Sequence, residues 1–367
     1  MKKTIHSVFL VLIIGLSNNV FAQTTLEADG PGNTYELINS VLAPGFDVIE
    51  TPECIHPEFG RHIAEVWDAD LGRYVFEFYI HVQPDNDRCI NFDRQRVEIK
   101  TYDKSPANLV GVTGESIVYK WKFKIPIGFQ PSTSFTHIHQ IKAVGGDESD
   151  PIFTLTVRKA TPNRIELIHD NKTRLTTANL SLFEGVWVEA EERVQVDSLH
   201  GTYSISIKKL SDGTPLLSYS NTNLMTIRYN NSFIRPKWGI YRSLNSPSSL
   251  RDEALRFSGF SIYEEPPTAI GGQLKLDGRF EMLSDLNSNE IRINYTVEHE
   301  SNVQLEILRL NGRLEKMLVY NDLKLKGNYK ETFDVSSLAD GFYFIRLKAG
   351  NYADTAKLII KKNANKL

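Results

Sequence analysis

Short segments of alternating apolar and polar residues follow one another from residue 35 to residue 265, separated by turn residues and with almost no helical pattern. Residues 120–124 alternate most clearly, because Trp121 and Phe123 lie between lysines, as is typical of an antiparallel strand with one solvated face. Further strands are predicted at 74–82, 116–125, 151–158, 164–169, 185–190, 202–208 and 255–263. A block of this length predicts a two-sheet β-sandwich of the jelly-roll type.

The pattern changes at residues 264–272, where paired prolines are followed by paired glycines. This composition predicts a linker at 266–276, after a first domain at 23–265. Four more strand patterns follow, at 291–295, 303–308, 341–347 and 355–360. They predict a second, smaller β-sandwich at 277–367, so that the whole chain is expected to be all-β.

Residues 135–142 form an unusual strand, because both of its faces carry polar groups. At the two-residue period of a strand, one face carries Ile138, Gln140 and Lys142, and the other carries His137, His139 and Ile141. Residues 94–100 and 237–241 share this feature. Our interpretation is that the three strands line one concave polar surface.

The strand at 94–100 places Arg94, Arg96, Glu98 and Lys100 on one face and apolar residues on the other. Four charges in a row are either an ordinary solvated sheet face or the floor of a binding groove. This strand by itself favours the solvated sheet face, with the groove as the alternative.

The strand at 237–241 favours a groove. Lys237, Gly239 and Tyr241 share a face, while Trp238 and Ile240 are expected to pack inward. Glycine within a strand often marks a place where another group approaches the backbone. A lysine and a tyrosine on either side of a bare patch suit a polymer that lies across the sheet.

The N-terminal residues predict a secretory signal peptide at 1–22. Lys2 and Lys3 precede a short apolar run at 8–16, and small residues lead to cleavage after Ala22. The alternative, a membrane anchor, is disfavoured because the apolar run is shorter than the ~20 residues that a spanning helix needs. No later stretch approaches that length, so the mature protein is expected to be soluble or held at the cell surface, without a membrane span.

The charge and the cysteines limit the classes of partner. The chain has 42 basic and 45 acidic side chains, and removal of the signal peptide takes away two lysines. This balance argues against nucleic-acid binding but allows a local basic groove. Cys54 and Cys89 both lie in the exported part. In an oxidising compartment a disulfide between them is the simplest prediction, and two buried free thiols are the alternative.

The polar groups on the three strands suit β-elimination on a uronic-acid polysaccharide. A lysine such as Lys142 acts as a base when burial or neighbouring cations lower its pKa, and Tyr241 can act as an acid. Arginine and glutamine can bind the carboxylate and make the adjacent C–H bond more acidic. The scheme requires no cofactor for catalysis. The protein is expected to be a monomer.

The same residues carry a resemblance to a known group of enzymes. Arg96-Val-Glu98-Ile-Lys100, Gln140-Ile-Lys142 and Lys237-Trp-Gly239-Ile-Tyr241 resemble the three strand motifs of jelly-roll polysaccharide lyases. Alginate lyases of that kind show Arg-x-Glu-x-Arg, Gln-x-His and Lys-x-Gly-x-Tyr strands, and heparin lyase I has similar Gln-x-His and Gly-x-Tyr strands. The chain departs from them at Lys142, where those families have the catalytic histidine.

Of these lyases, the jelly-roll ulvan lyases of polysaccharide lyase family 28 resemble the chain best. They are similar in size and also have a sorting domain and a lysine–tyrosine pair. The resemblance implies endolytic cleavage of ulvan, a sulfated rhamnose–uronate polymer. It implies Lys142 as the base and Tyr241 as the acid, unless Tyr241 serves as both. The substrate-binding residues would be Arg94, Arg96, Glu98, Gln140, His139 and Lys237, with Lys237 meeting sulfate groups.

The last part of the chain resembles another family, the C-terminal sorting domains of type IX secretion substrates in Bacteroidetes. The resemblance rests on residues 303–312, 334–343 and the terminal 357–361. It implies passage through the periplasm and across the outer membrane by the type IX machinery. A plain carbohydrate-binding or adhesive sandwich is the alternative for this domain.

The sequence contains two candidate metal sites. His137 and His139 form a His-x-His pair that could bind zinc, but no further ligands stand at a recognisable spacing. For the pair, a structural role is favoured over metal binding, although a β-bulge would bring one of them into the groove. The acidic turn at 145–150 could hold a structural calcium ion.

Two rival functions follow from the same sequence. A glycoside hydrolase would need two opposed carboxylates, and the nearest cluster is Glu189, Glu191 and Glu192. That cluster lacks the spacing found in sandwich glucanases. A non-catalytic carbohydrate-binding protein would be expected to display flat exposed aromatic residues over the groove. The polar groups at 94–100, 135–142 and 237–241 therefore favour a lyase, either on ulvan or on another polyuronate such as alginate, glucuronan or a heparin-like polymer.

Overall fold

A computed structural model of the chain describes residues 23–265, 280–284, 289–310, 312–350 and 352–360. Within these ranges the regular structure is almost entirely β-strand. The predicted signal peptide at 1–22 and the predicted linker at 266–276 lie outside the described residues.

The first domain contains fifteen strands among the described residues. In chain order they are β1 (Thr24–Leu26), β2 (Ile49–Glu50), β3 (Ile63–Asp68), β4 (Arg73–Ile80), β5 (Arg94–Lys100), β6 (Ser116–Lys124), β7 (Thr136–Val144), β8 (Phe153–Arg158), β9 (Arg164–His169), β10 (Thr173–Asn179), β11 (Trp187–Gln195), β12 (Gly201–Lys209), β13 (Pro215–Leu224), β14 (Phe233–Ser243) and β15 (Glu253–Glu265). One α-helix, α1 (Thr34–Leu42), and short 3₁₀ helices at Ala107–Leu109, Leu180–Leu182 and Pro247–Ser249 complete it.

These strands form two antiparallel sheets. The first has the order β13-β12-β11-β6-β15-β4-β3, with β1 paired to β15, and the second has the order β10-β9-β8-β7-β14-β5-β2. Strands that are distant in sequence are paired in these sheets, since β14 lies between β7 and β5. The predicted jelly-roll sandwich is thereby confirmed.

The core lies between the two sheets and is rich in aromatic side chains. Trp121 and Phe123 of β6 and Trp238 of β14 are buried, and the indole rings of Trp121 and Trp238 lie 6.1 Å apart. The lysines between the aromatic residues of β6 face outward, where Lys120 pairs with Glu191 and Lys124 with Asp70. The alternation predicted for residues 120–124 is therefore observed.

The sequence pattern did not predict α1. Its buried residues Ile38 and Leu42 join the core, so the helix covers an edge of the sandwich. Thr34 opens the helix and is also buried. Nine residues are too few for a strong helical periodicity, and packing against the sandwich stabilises such a short helix.

The second domain has seven strands among the described residues: β16 (Phe280–Ser284), β17 (Glu290–Val297), β18 (Ser301–Arg309), β19 (Leu314–Lys324), β20 (Gly327–Asp334), β21 (Gly341–Ala349) and β22 (Tyr352–Ile360). They form a three-stranded sheet, β16-β17-β20, and a four-stranded sheet, β19-β18-β21-β22. A separate apolar core, which includes Ile293, Leu305 and Ile345, lies between them. The smaller second sandwich that the sequence predicted is therefore present.

The two domains contact each other through a small apolar cluster. Phe233 of β14 packs against Phe344 of β21, with ring centroids 5.8 Å apart. The Tyr229 hydroxyl lies within hydrogen-bond distance of the carbonyl oxygen of Gly350, at 3.1 Å. Lys357 forms ion pairs with Glu115 and Glu264 of the first domain.

Cys54 and Cys89 form a disulfide, as the sequence predicted. It joins the segment before β3 to the segment before β5, across a separation of 35 residues. No helix in the described part of the chain combines the length and the apolarity needed to cross a membrane.

Candidate active site

The three unusual strands of the sequence are neighbours in the second sheet, in the order β7-β14-β5. Lys237 lies opposite Gln140 on one side and Lys100 on the other. Tyr241 lies opposite Arg96 and His137. The polar groups predicted to share one surface are therefore brought together by adjacent strands.

Gly239 forms a β-bulge in β14. Between Trp238 and Tyr241 the register against β7 shifts by one residue. Gly239 has φ of +142°, and a Cβ atom there would lie 2.1 Å from the carbonyl oxygen of Val97. The group that approaches this glycine is thus the neighbouring strand, which corrects the expectation of a bare patch left for a polymer.

The irregular register separates the two histidines of β7. His137 lies on the polar face beside Tyr241, with ring centroids 5.9 Å apart, and stacks on Phe135. His139 lies in the core, where Nε2 is 2.8 Å from Glu192 and Nδ1 is 2.9 Å from the carbonyl oxygen of Lys237. The assignment of His139 to substrate binding is therefore wrong, and His137 occupies the surface instead.

A buried network of charges lies beneath this surface. Glu98 is fully buried and accepts hydrogen bonds from Arg96, Gln140 and Lys237. Lys237 is only 3% exposed and also pairs with Glu50. Lys237 and Arg96 hold the pKa of Glu98 below its usual range, although burial opposes them.

This network corrects two predicted substrate contacts. Glu98 and Lys237 satisfy each other inside the protein and do not line the cleft described below. Burial lowers the pKa of Lys237 in spite of its two carboxylate partners. Both residues support the surface from below, and neither is placed to meet a sulfate group.

A polar cleft of about 420 Å³ opens on the surface formed by β5, β7 and β14. It contains five of the predicted site residues, which are Arg94, Arg96, Gln140, Lys142 and Tyr241. His137 also lies in the cleft, as the sequence allowed for an irregular strand. The cleft contains further polar residues that the sequence did not indicate: Ser134, Ser149, Asp150, Thr154, Arg158 and Asn171. Several of these come from β8 and the loops beside it, so no motif on the three strands could have indicated them.

Lys142 is the cleft residue best suited to act as a base. It is partly buried, and its Nζ atom makes no hydrogen bond or ion pair with the other residues that the structure describes. Burial lowers the pKa of its amino group, and the positive charges of Arg235 and Arg96 lower it further. A lower pKa increases the fraction of neutral amine at ordinary pH.

Arg235 was not predicted from the sequence. It lies opposite Lys142 in the ladder between β14 and β7. Its Nε and Nη1 atoms are buried and have no hydrogen-bond partner. The guanidinium of Arg235 therefore places a positive charge on the strand beside Lys142. This charge favours the neutral form of the Lys142 amine.

Tyr241 is held by two arginines. Nη1 of Arg94 donates to the Tyr241 hydroxyl at 3.0 Å, and the guanidinium of Arg96 lies over the ring, 3.7 Å from its centroid. Arg96 is fixed in turn by Asp87, whose Oδ1 accepts from its Nε at 2.8 Å. Tyr241 is therefore a well-oriented hydroxyl group next to two cations.

The cleft can bind an anionic group and move a proton near it. Arg94 and Arg158 are partly exposed cations in the cleft, and Asn171 and Gln140 add amide groups. Lys142 can accept a proton, and Tyr241 can donate one. These groups match those needed to bind a carboxylate and to remove the proton beside it.

The carboxylates considered for a hydrolase do not form a catalytic pair. Glu192 lies in the core, where it accepts a hydrogen bond from the Tyr203 hydroxyl at 2.6 Å and contacts His139. Glu189 and Glu191 lie on the opposite side of β11, beside lysines of β6. The sandwich therefore separates this cluster from the cleft.

The acidic turn at 145–150 uses its carboxylates in local hydrogen bonds. Asp147 accepts from Ser149, Glu148 from the backbone N–H of Gly145, and Asp150 from Asn171. The expected calcium ion at this turn stays a prediction. His139 is bonded at both ring nitrogens, so the His137–His139 pair is not arranged to share a metal ion.

Comparison with known proteins identifies the second domain. Residues 287–361 match the family described as "Secretion system C-terminal sorting domain". This domain indicates export by the type IX system, with the protein secreted or held at the cell surface. No curated protein matches the chain.

Among solved structures, the chain is similar to several alginate lyases. A PL-14 alginate lyase from Aplysia kurodai is 12% identical over 65% of this chain and 97% of that one, with a TM-score of 0.42. The family 7 alginate lyase A1-II' is 13% identical over 60% and 94%, with a TM-score of 0.41. An alginate lyase from Pseudomonas aeruginosa is 16% identical over 55% and 86%, with a TM-score of 0.37.

Proposed function

We propose that the first domain is a polysaccharide lyase that cleaves a uronate-containing polymer by β-elimination. The observation that carries the proposal is the arrangement of Lys142 and Tyr241 in one cleft, among cations that can bind a carboxylate. Lys142 has a lowered pKa, and Tyr241 is oriented by Arg94. His137, which lies opposite Tyr241 with ring centroids 5.9 Å apart, is the alternative base in the cleft.

In the proposed reaction Arg94, Arg96 and Gln140 bind the uronate carboxylate. Lys142 takes the proton from the carbon that bears this carboxylate. The glycosidic C–O bond then breaks, and Tyr241 gives its proton to the leaving oxygen. The electron pair of the C–H bond becomes the new C=C bond, so the product carries an unsaturated uronate at its non-reducing end.

We further propose ulvan as the substrate and endolytic cleavage as the mode. The support is the lysine at position 142 together with Tyr241, which is the feature shared with family 28 ulvan lyases. Sulfate groups of ulvan would meet the cleft cation Arg158. The enzyme would act as a monomer exported by a bacterium of the Bacteroidetes type, and catalysis would need no cofactor.

Product analysis tests the reaction class. The mature protein is incubated with ulvan, and the oligosaccharides are analysed by mass spectrometry. A lyase gives fragments that are lighter by one water molecule than the hydrolysis products, and endolytic action gives a ladder of sizes early in the reaction. Fragments with the mass of hydrolysis products would exclude β-elimination.

A further inference from the structure

A second cluster of ionisable side chains lies outside the cleft. The imidazoles of His56, His62 and His81 surround the carboxylate of Asp85. One ligand atom from each of the four residues lies within 4.8 Å of the others. His62 and Asp85 are buried, and His56 and His81 are partly buried.

Each histidine presents a ring nitrogen to the same carboxylate. Nδ1 of His56 lies 2.7 Å from Oδ1 of Asp85, Nε2 of His62 lies 3.2 Å from the same oxygen, and Nδ1 of His81 lies 3.1 Å from Oδ2. The three rings are also mutual neighbours, with centroids 4.9 to 5.5 Å apart. Three nitrogens and one oxygen therefore converge on one small volume.

This donor set is that of a transition-metal site. Neutral imidazole nitrogen suits Zn²⁺ and its neighbours in the first row, whereas Ca²⁺ and Mg²⁺ take oxygen ligands. Zinc bonds of about 2.0–2.2 Å in a tetrahedron place ligand atoms roughly 3.3–3.6 Å apart. The contacts of the histidine nitrogens with Asp85, at 2.7 to 3.2 Å, are slightly shorter than this spacing, and no two of the four ligand atoms are more than 4.8 Å apart. Small side-chain movements would therefore complete the geometry. We propose that His56, His62, His81 and Asp85 bind one zinc-class divalent ion.

The surroundings of the cluster support this assignment. Nδ1 of His62, the nitrogen turned away from Asp85, has no hydrogen-bond partner and lies 3.5 Å from Oε1 of Glu53. Histidine ligands commonly direct their second nitrogen to such a carboxylate. The Tyr35 hydroxyl bonds to Glu53 and fixes it. Phe59 packs against the His62 and His81 rings, at 4.8 and 4.3 Å, and covers the cluster.

Four protein ligands leave no open position, so the site is structural. It joins the segment before β3, which carries His56 and His62, to the turn that carries Asp85. That turn leads to Asp87, which holds Arg96 of the cleft, and Gln95 donates to the carbonyl oxygen of Asp85 at 3.1 Å. A bound ion would therefore act beside the Cys54–Cys89 disulfide to fix the loops that support the cleft.

Metal content is the first test. The protein is prepared without a histidine tag, incubated with Zn²⁺ and desalted, and its metal is measured by plasma mass spectrometry. We expect about one zinc ion per chain. His56→Ala and His81→Ala should lose the ion, while His200→Ala, which removes a histidine far from the cluster, should keep it. Equal zinc in the wild type and in both ligand variants would overturn the proposal.

A second variant separates ligand loss from misfolding. Glu53→Gln keeps all four ligands but removes the charge beside His62, so zinc affinity should fall by about 10–100-fold with the fold intact by circular dichroism. Unchanged affinity would contradict the assigned role of Glu53.

The wild type alone provides a further test. Chelation should lower the melting temperature, and Zn²⁺ should restore it. Co²⁺ should give the strong visible absorption of a tetrahedral site. A chelated protein that takes up no Zn²⁺ and melts as before would show that the four residues form only a hydrogen-bonded cluster around Asp85.

Discussion

Arg235 and Lys142 lie opposite each other in the ladder between β14 and β7, and two nitrogens of Arg235 are buried without a hydrogen-bond partner. The guanidinium charge and the burial of Lys142 both lower the pKa of its amino group. Glu98 and Glu148 act in the opposite direction, as the smaller contributions. The pKa of the proposed base, Lys142, is thus lowered by a residue on the neighbouring strand β14.

The first prediction concerns the pH dependence of turnover. Lys142 must be neutral to accept a proton, so activity should rise with pH as the amino group loses its charge. Arg235→Gln removes the neighbouring charge and should raise the pKa of Lys142, which moves the acidic limb of the kcat/KM profile to higher pH. Arg235→Lys should keep the limb near its original position, and Arg193→Gln on the other sheet should not move it. A limb that stays in place in Arg235→Gln would contradict this account.

The second prediction separates Lys142 from His137 as the base. Both line the cleft, but burial lowers the pKa of His137 to about 3, so its imidazole is a weak base. Lys142→Ala should lower kcat by the roughly 10²–10⁴-fold expected for a general base. His137→Asn should cost less than this range. Loss of activity in His137→Asn together with an active Lys142→Ala would transfer the role to His137.

The third prediction concerns the bulge at Gly239. Gly239→Ala should destabilise the protein and abolish activity, because Cβ would meet the carbonyl oxygen of Val97 and the register that places Tyr241 would be lost. The backbone conformation alone should cost about 1–3 kcal/mol. Gly213→Ala is the matched control, since Gly213 also has positive φ but has open space around it. Equal losses in the free energy of unfolding would show that the contact with Val97 is unimportant.

The fourth prediction tests the buried charge network. Lys237→Met removes a buried cation that contacts both Glu50 and Glu98 and leaves Arg96 as the cation that the two carboxylates share. The free energy of unfolding should fall by about 3 kcal/mol, the lower end of the range for breaking a buried ion pair. Urea unfolding measures the change, with the exposed Lys208→Met as control. A stable variant with a KM raised only on sulfated polymer would instead support direct contact between Lys237 and sulfate.

Local patterns in the sequence were sufficient for the strands predicted above and for two sandwiches. The alternation at 120–124 shows this, because the two-residue period fixes which side chains face the core. The structure adds strands that were not predicted, among them β3, β10 and β13 in the first domain and β16, β19 and β20 in the second. The pattern could not give the register between strands that are distant in sequence. The irregular register of β7 moved His137 to the polar face, whereas His139 stays on the inward face that regular alternation gives it. This register and the bulge at Gly239 depend on contacts of β14 with both neighbours.

The candidate site could be predicted in part for the same reason. Lys142 and Tyr241 lie on strands with recognisable motifs, and the structure brings both into the cleft. Arg158 and Asn171 reach it from other segments, so only the fold reveals them. The sequence also could not predict the burial of Glu98 and Lys237, because it depends on Glu50 of a short edge strand.

The most direct test of the central claim is the ultraviolet absorbance of the unsaturated uronate, followed while the mature protein is offered ulvan, alginate, glucuronan and heparin in parallel. We expect absorbance to rise with ulvan, and to stay flat for Lys142→Ala and Tyr241→Phe although both variants still bind the polymer. A rise with a different polymer would retain the lyase and replace the substrate. No rise with any of the four, while the wild type still binds one of them, would contradict the assignment of a lyase and indicate a carbohydrate-binding protein.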